Sequence, residues 1–288
     1  MRTGVRRARR LIAFSVVAML LGATACLVGL RRGSESSTAV HERRAIELSG
    51  AADAGTEVDA GLRPPAGTWK YRGRGSEHLS LLGGASHEFP DIIWAVTALD
   101  ARDACEWRFD PVFIEEHVER RTFCTNYSGT VERTTERVTR FLGYEQTSRY
   151  RCDEQGVRLR PGGKVETTTS WSCRERRGSL VRFTSRIVDA NEVIVLENGA
   201  RLQTTHVRIT GMQRNSGRGD ERTDLWLLDT GLPARMRTVR STTAKAGPLG
   251  TMRLREQYDY VLVSDVPAAR SARDQEGDQL APTGPNWA

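Results

Sequence analysis

The sequence predicts a mainly β protein, an antiparallel sheet domain carried behind one N-terminal hydrophobic helix. Three observations lead there. Apolar residues between positions 67 and 267 recur with a period of two, that stretch contains no amphipathic helix of ordinary length, and Leu11 to Leu30 is a run of twenty residues without a charge. Period-two alternation marks strands with one buried and one wet face. Twenty helical residues, at about 1.5 Å rise each, span roughly the 30 Å of bilayer hydrocarbon.

The N-terminal run sets the address. Arg2, Arg6, Arg7, Arg9 and Arg10 precede it and only Arg31 and Arg32 follow it, so the positive-inside bias leaves the N-terminus in the cytoplasm and the rest of the chain outside. Residues 1–32 read first as an uncleaved signal anchor, because a run of this length with arginine at both ends exceeds the usual h-region of about 7–15 residues. Two alternatives remain open. Leu21-Gly22-Ala23-Thr24-Ala25-Cys26 is similar to a lipobox, which makes Cys26 a lipid anchor, and Ala23 with Ala25 fits an ordinary A-x-A cleavage that releases a secreted protein. Each reading makes the membrane the first partner and places the main domain outside the cytoplasm.

These flanks also explain the net charge of +7. The chain has 43 Lys and Arg against 36 Asp and Glu, and residues 1–32 hold seven arginines and no acid. Without them the remainder is neutral. No basic face is left over for nucleic acid, which is excluded as a partner.

Residues 33–66 are rich in Ser, Ala, Gly, Asp and Glu and end in Pro64-Pro65, too polar to fold alone. As a flexible tether of about 34 residues they would hold the next domain on the order of 30 Å from the membrane. Residues 268–288 have the same character. Residues 67–267 form the one folded domain.

Within it, Ile92, Trp94, Val96 and Ala98 share one phase. So do Ile114, Val118, Thr122 and Cys124, and Met252, Leu254, Tyr258, Tyr260 and Leu262 alternate with Arg253, Arg255, Gln257 and Asp259. Trp69 with Tyr71, Leu180 to Ile187, Thr205 to Ile209 and Thr223 to Leu228 add strands, for about nine or ten in all. Turn signals stand at Asp110-Pro111, Pro161-Gly162-Gly163, Thr230-Gly231 and Gly247-Pro248. The nearest helical stretch, Ser76 to Leu82, is one or two turns long. A sheet with one apolar face and no helix to cover it must curl toward a barrel, fold into two layers or leave a groove. A hollow of that kind would suit an apolar or lipid-like molecule.

Cys105, Cys124, Cys152 and Cys173 are an even set in an exported domain, which argues for two disulfides. A hairpin turning at Pro161-Gly162-Gly163 opposes residues whose numbers sum to about 325, so Cys152 faces Cys173. Cys105 and Cys124 pair by elimination. Their midpoint misses the Asp110-Pro111 turn, which suggests non-adjacent strands or a bulge. No CxxC or HxH spacing supports a metal, and no cofactor motif is present.

Catalytic signatures are absent as well, with no GxSxG, HExxH or Walker loop. His78 and His87, with Glu77, are a loop-stabilising set short of a metal triad. Glu115 and Glu116, adjacent on a strand, point to opposite sides and cannot act together. The Arg/Glu alternation from Glu132 to Arg140 reads as cross-strand ion pairs on a wet face.

Gly67-Thr68-Trp69-Lys70-Tyr71, the stretch from Leu82 to Pro90, the cysteine spacing and Asp224 to Arg235 resemble uncharacterised exported proteins of GC-rich bacteria whose fold is similar to the lipoprotein carriers, the LolA-like group. The resemblance implies a single antiparallel sheet curved around an apolar concave face, a half-barrel or open barrel. It carries over no catalytic residue. The helices that plug the concave face of carriers are not evident here. The expectation is a membrane-tethered, extracytoplasmic β domain binding an apolar or lipid-like ligand, its groove built by Ile92, Trp94 and Val96 with Tyr258, Tyr260 and Leu262. A structural or interaction module contacting another envelope protein is the alternative, and an envelope hydrolase the second.

Overall fold

The computed structural model describes residues 63–80, 84–100, 103, 105–126, 129–141, 144–153, 168–175, 179–214, 218–245 and 250–268. The N-terminal run, Cys26, the linker up to residue 62, the Pro161-Gly163 turn and the tail beyond 268 lie outside them. Among the described residues there is no helix, and none long and apolar enough to cross a membrane.

Thirteen strands follow one another: β1 (Gly67–Leu79), β2 (Ala85–Phe89), β3 (Ile92–Leu99), β4 (Glu106–Ile114), β5 (His117–Asn126), β6 (Gly129–Phe141), β7 (Tyr144–Cys152), β8 (Thr168–Glu175), β9 (Leu180–Val195), β10 (Arg201–Arg214), β11 (Arg218–Leu227), β12 (Pro233–Lys245) and β13 (Thr251–Leu262). Every pairing is antiparallel and between chain neighbours, except that β1 also pairs with β3 and with β13. β2 and β3 are two halves of one stave, because both pair with β1 in the same register and only Pro90-Asp91 separates them. Pro90 has no N–H for the ladder, and the pairing resumes with Gly73 N–H donating to Asp91 O at 2.9 Å. The result is a closed barrel of twelve staves.

Closure corrects the expected half-barrel. Tyr71 to Leu79 pairs residue for residue with Leu262 to Leu254, so the two strands that would have been the free edges satisfy each other. Unpaired edges leave rows of backbone donors and acceptors, and joining first strand to last removes them. Ser76 to Leu79 is correspondingly strand, not helix.

The register also corrects the turn at Asp110-Pro111, which lies inside β4. The chain reverses at Glu115-Glu116 instead. β4 and β5 are therefore neighbours, and the Cys105–Cys124 disulfide joins adjacent staves one residue out of step, with Glu106 opposite Cys124. Cys152 and Cys173 are directly opposed and bonded, in the register expected from the sequence. Each bridge closes a loop of about 20 residues, worth on the order of 3 kcal/mol in the chain-entropy account.

Twelve staves in a round barrel would enclose a channel. This one is flattened. Phe113 on β4 packs against Tyr258 on β13 at 4.7 Å between ring centroids, and Arg240 on β12 reaches Glu119 on β5 at 3.2 Å, across the interior. Glycine makes room for the approach: a Cβ on Gly75 would stand 2.6 Å from Tyr258 and 2.7 Å from Phe89.

Outside, Arg72, Arg74, Arg120, Arg149, Arg186, Arg222, Arg237 and Arg255 alternate with inward positions on seven different staves, so among the described residues the barrel wall carries no continuous apolar band of the kind a lipid-facing barrel needs. Beyond the bulges near His206, the β9–β10 hairpin extends past the barrel. Its Ile194 and Leu196 join Trp226 in the core cluster, and Glu197 at its tip pairs with Arg72 at 2.9 Å.

One outward acid is buried. Asp110 is 1% exposed beside Val96 and Val112, with Arg108 Nε at 2.6 Å from its carboxylate. Burial pushes the carboxyl up to about 6, against the pull of Arg108 and Arg120. The folded state thus holds this proton more tightly than the unfolded chain, and the folded form loses stability as pH rises from about 4 to 6. Asp110→Asn is expected to gain about 2 kcal/mol on the wild type between pH 4 and pH 7 in denaturant titrations; parallel pH profiles would refute the assignment.

Candidate functional site: the barrel lumen

Odd-numbered residues of β1 and β13's even-numbered ones face inward, because Tyr71 opposes both Ile93 and Leu262. Tyr258, Tyr260 and Leu262 therefore line the lumen. Ile92, Trp94 and Val96 are one step out of phase and face outward, where Trp94 carries Lys70 Nζ 5.7 Å above its ring. The expected groove is thus divided between the two sides of the wall.

The lumen has three layers. At the end where the β11–β12 turn lies, it is filled by Trp69, Tyr71, Ile93, Trp107, Phe109, Phe113, Met236, Tyr260 and Leu262, all at most 3% exposed. Leu232, from the β11–β12 turn, is 1% exposed in the same cluster, and the turn's Gly231, at φ +86°, brings its backbone against Trp107. The polar tips are all bonded: Trp69 Nε1 to Thr97, Trp107 Nε1 to Thr125, Tyr71 Oη to Pro233 O and Tyr260 Oη to Pro90 O, at 2.6–2.9 Å. A space of only about 50 Å³ remains near Trp107, Phe123 and Met236.

The middle layer is charged. Glu77 and His87 oppose each other on the β1–β2 hairpin, and Glu77 accepts from His87 Nδ1 and from His117 Nδ1, both at 2.8 Å. Burial raises the Glu77 carboxyl, but the two histidines outweigh it and hold it below the usual range. Glu119 accepts from Arg137 Nε at 2.9 Å, Arg240 Nη1 at 3.2 Å and Arg121 Nη2 at 3.3 Å. Arg240 also donates from Nε to Glu221 at 2.8 Å and from Nη1 to Glu256 at 2.7 and 2.9 Å. Glu221 is held down at about 2, since Arg240 and its neighbours overcome the burial that would raise it. His117, wholly buried, is driven down by that burial but lifted to about 9 by Glu256, Glu119 and Glu77. Charges taken this far out of water persist only because each meets its opposite.

Toward the other end lies a cavity of about 290 Å³. Leu79, Phe141, Tyr150, Ala244, Met252 and Leu254 supply apolar wall, with Thr139, Gln146, Ser148, Gln213 and Thr242 between them, and Arg137 and Arg240 belong to its lining. Arg240 Nη2 is buried without a hydrogen-bond partner. Donors and apolar wall together suit a small amphiphile with an acceptor at one end.

The pair His78 and His87 divides across the wall: His78 is exposed and bonds Ser86 at 2.8 Å, while His87 turns inward and stacks on Phe141 at 4.4 Å. Glu115 and Glu116 form the β4–β5 turn. The Glu132 to Arg140 stretch is mixed, with Glu136 and Arg149 paired outside at 3.0 Å and Glu132 and Arg137 facing the lumen. His117, Glu119, Glu221, Arg240 and Glu256 escaped the sequence reading. Their signal was phase: Glu256 sits between Leu254 and Tyr258 on the very face that reads as apolar.

Comparisons with models of known protein families, with curated proteins and with solved structures found no match.

Proposed function

We propose that this chain is a membrane-tethered, extracytoplasmic barrel that binds a small amphiphile in the cavity between the charged layer and the end of the barrel opposite the β11–β12 turn. The observation that carries the reading is that cavity of about 290 Å³, with its apolar wall and the unpartnered Arg240 Nη2. Its volume stands at the lower end of small-molecule sites, roughly 300–1,000 Å³, so the guest is a short or compact molecule and not a diacyl lipid. Two disulfides support an oxidising compartment outside the cytoplasm, and the uncharged run Leu11 to Leu30 supports the tether.

Native mass spectrometry of detergent-free protein, followed by titration with medium-chain carboxylates, tests this. A bound amphiphile is expected, and Ala244→Trp, which fills the cavity from β12, should weaken it at least tenfold without lowering the melting temperature by more than a few degrees. A wild-type protein that carries no guest and ignores added carboxylates refutes the reading. The second reading, a scaffold or interaction module, is favoured by the packed aromatic layer at the β11–β12 end, where no guest fits.

A further inference from the structure

We propose that the outer wall formed by β9 to β13 and β1 docks on a surface of anionic phospholipid headgroups. The neutral charge balance of the chain beyond residue 32 hides a segregation. Glu77, Glu119, Glu221 and Glu256 are turned into the lumen, where histidine and arginine hold them. Outside, Arg182 and Arg186 on β9, Arg237 on β12, Arg253 and Arg255 on β13 and Arg74 on β1 are all exposed, and none has an acid partner among the described residues. Short of the bulges near His206, the outward acids of these staves are Asp220, Asp224 and Asp259. Arg208 holds Asp224 at 2.7 Å and Arg235 holds Asp259 at 2.7 Å. Among the described residues of this wall, Asp220 is the one acid left to set against the free arginines.

The excess belongs to one side of the barrel. On β4, β6 and β7 outward arginines meet acids: Arg108 meets Asp110 at 2.6 Å, Arg140 meets Glu145 at 2.8 Å and Arg149 meets Glu136 at 3.0 Å. On the basic side the ladder register sets Arg182, Met212, Asp220, Ser241, Arg255 and His78 in one row across neighbouring strands. Five steps of about 4.8 Å make the row roughly 24 Å long.

Shape and composition choose the partner. A convex wall cannot enclose a small anion as a cleft does, whereas guanidinium groups spread over neighbouring staves match repeating phosphates, each of which accepts two N–H donors from one arginine. Val188, Met212 and Val239 stand among these arginines, 45–51% exposed. Apolar side chains beside basic ones suit the boundary between headgroup and acyl chain, and a soluble polyanion offers them nothing. The same arginines keep the wall out of the hydrocarbon, so the barrel rests on the bilayer and does not cross it. The tether, which this choice of partner takes from the reading above, would hold the wall on the order of 30 Å from the membrane and raise its effective concentration there.

The test places the full chain in neutral phosphatidylcholine nanodiscs by its own N-terminal run and floats it against added vesicles of phosphatidylcholine, alone or with about a third phosphatidylglycerol. Binding to the anionic vesicles is expected to be roughly tenfold tighter or more, and to be lost between about 0.1 and 0.5 M salt. Each arginine near such a surface is worth about fivefold, so Arg182→Ser, Arg186→Ser, Arg237→Ser and Arg255→Ser together should weaken binding by roughly tenfold or more. Arg149→Ser, on β7, should change nothing. If the fourfold variant does not fold, the lipid and salt dependence of the wild type still decides. Vesicle binding indifferent to anionic lipid, a folded fourfold variant that binds like the wild type, or tighter binding to double-stranded DNA or dextran sulfate overturns the proposal. A chain that does not enter the nanodiscs refutes the tether and is floated with the vesicles directly, so the two readings fail separately.

Discussion

Replacing Arg240 by methionine is expected to destabilise the barrel by about 3–5 kcal/mol, because the substitution leaves Glu221, Glu256 and part of Glu119 buried without their cation. For a domain of about 200 residues that is roughly 6–20 °C in melting temperature. The loss has a defined pH dependence. Glu221, held at about 2 by Arg240 in the wild type, contributes stability that is present above its unfolded value near 4.5 and lost as pH falls toward 2. In the variant that contribution is missing at every pH, so the gap between the two proteins narrows on acidification over this window. Adding Glu221→Gln to Arg240→Met should restore part of the loss, since the two residues share one network and their effects do not add. A loss under 1 kcal/mol, or a gap that widens in acid, would show that the guanidinium is not the hub of the lumen.

Trp107→Ala should cost about 3–5 kcal/mol by urea titration, with the midpoint lowered and the slope unchanged. Trp107 is 1% exposed, stacks on Phe123 at 4.7 Å and donates to Thr125 at 2.8 Å, and the β11–β12 turn closes over it at Gly231. Truncation removes transfer energy and leaves a hollow that flanking strands, locked in their ladders, cannot collapse into. Trp107→Phe, which keeps most of the volume and loses the hydrogen bond, should recover more than half of the loss. If the alanine variant is as stable as the wild type, the aromatic layer is not a plug and the lumen is open at both ends.

The strands of this protein were readable because alternation is a local property. Tyr258, Tyr260 and Leu262 on one side against Gln257, Asp259 and Val261 on the other needs no partner to be seen, and the Cys152–Cys173 register followed from a turn and a count. β3 shows where that fails. Ile92-Ile93-Trp94-Ala95-Val96 is apolar in both phases, so sequence gives no preference between its faces, and the wrong phase sends half of an expected groove to the outer wall. Asp110-Pro111 misled for a related reason: a strong turn pair lies within a strand because β4 runs on past it, with Val112 opposite Val118 and Ile114 opposite His117.

The lumen was legible only as an inconsistency. Glu77, His117, Glu119, Arg240 and Glu256 stand in phase with buried neighbours, where a charge is costly; beside the local contacts of Glu77 with His87 and Glu119 with Arg121, the pairs that tie the layer together lie far apart in the chain, 40 residues for Glu77 and His117 and 121 for Arg240 and Glu119. No window of sequence contains such a pair.

What sequence determined by itself is what depends on near neighbours: the β class, the phase of most strands, the disulfide partners and the confinement of the excess positive charge to residues 1–32. Tertiary structure alone decided that β1 meets β13, that the ring flattens until β5 touches β12, and that Glu77, Glu119, Glu221 and Glu256 share one layer with Arg121, Arg137 and Arg240. Closing the ring joins residues almost 200 positions apart, and the energy of burying a charge is set by whichever strand arrives opposite it, a quantity no local pattern encodes.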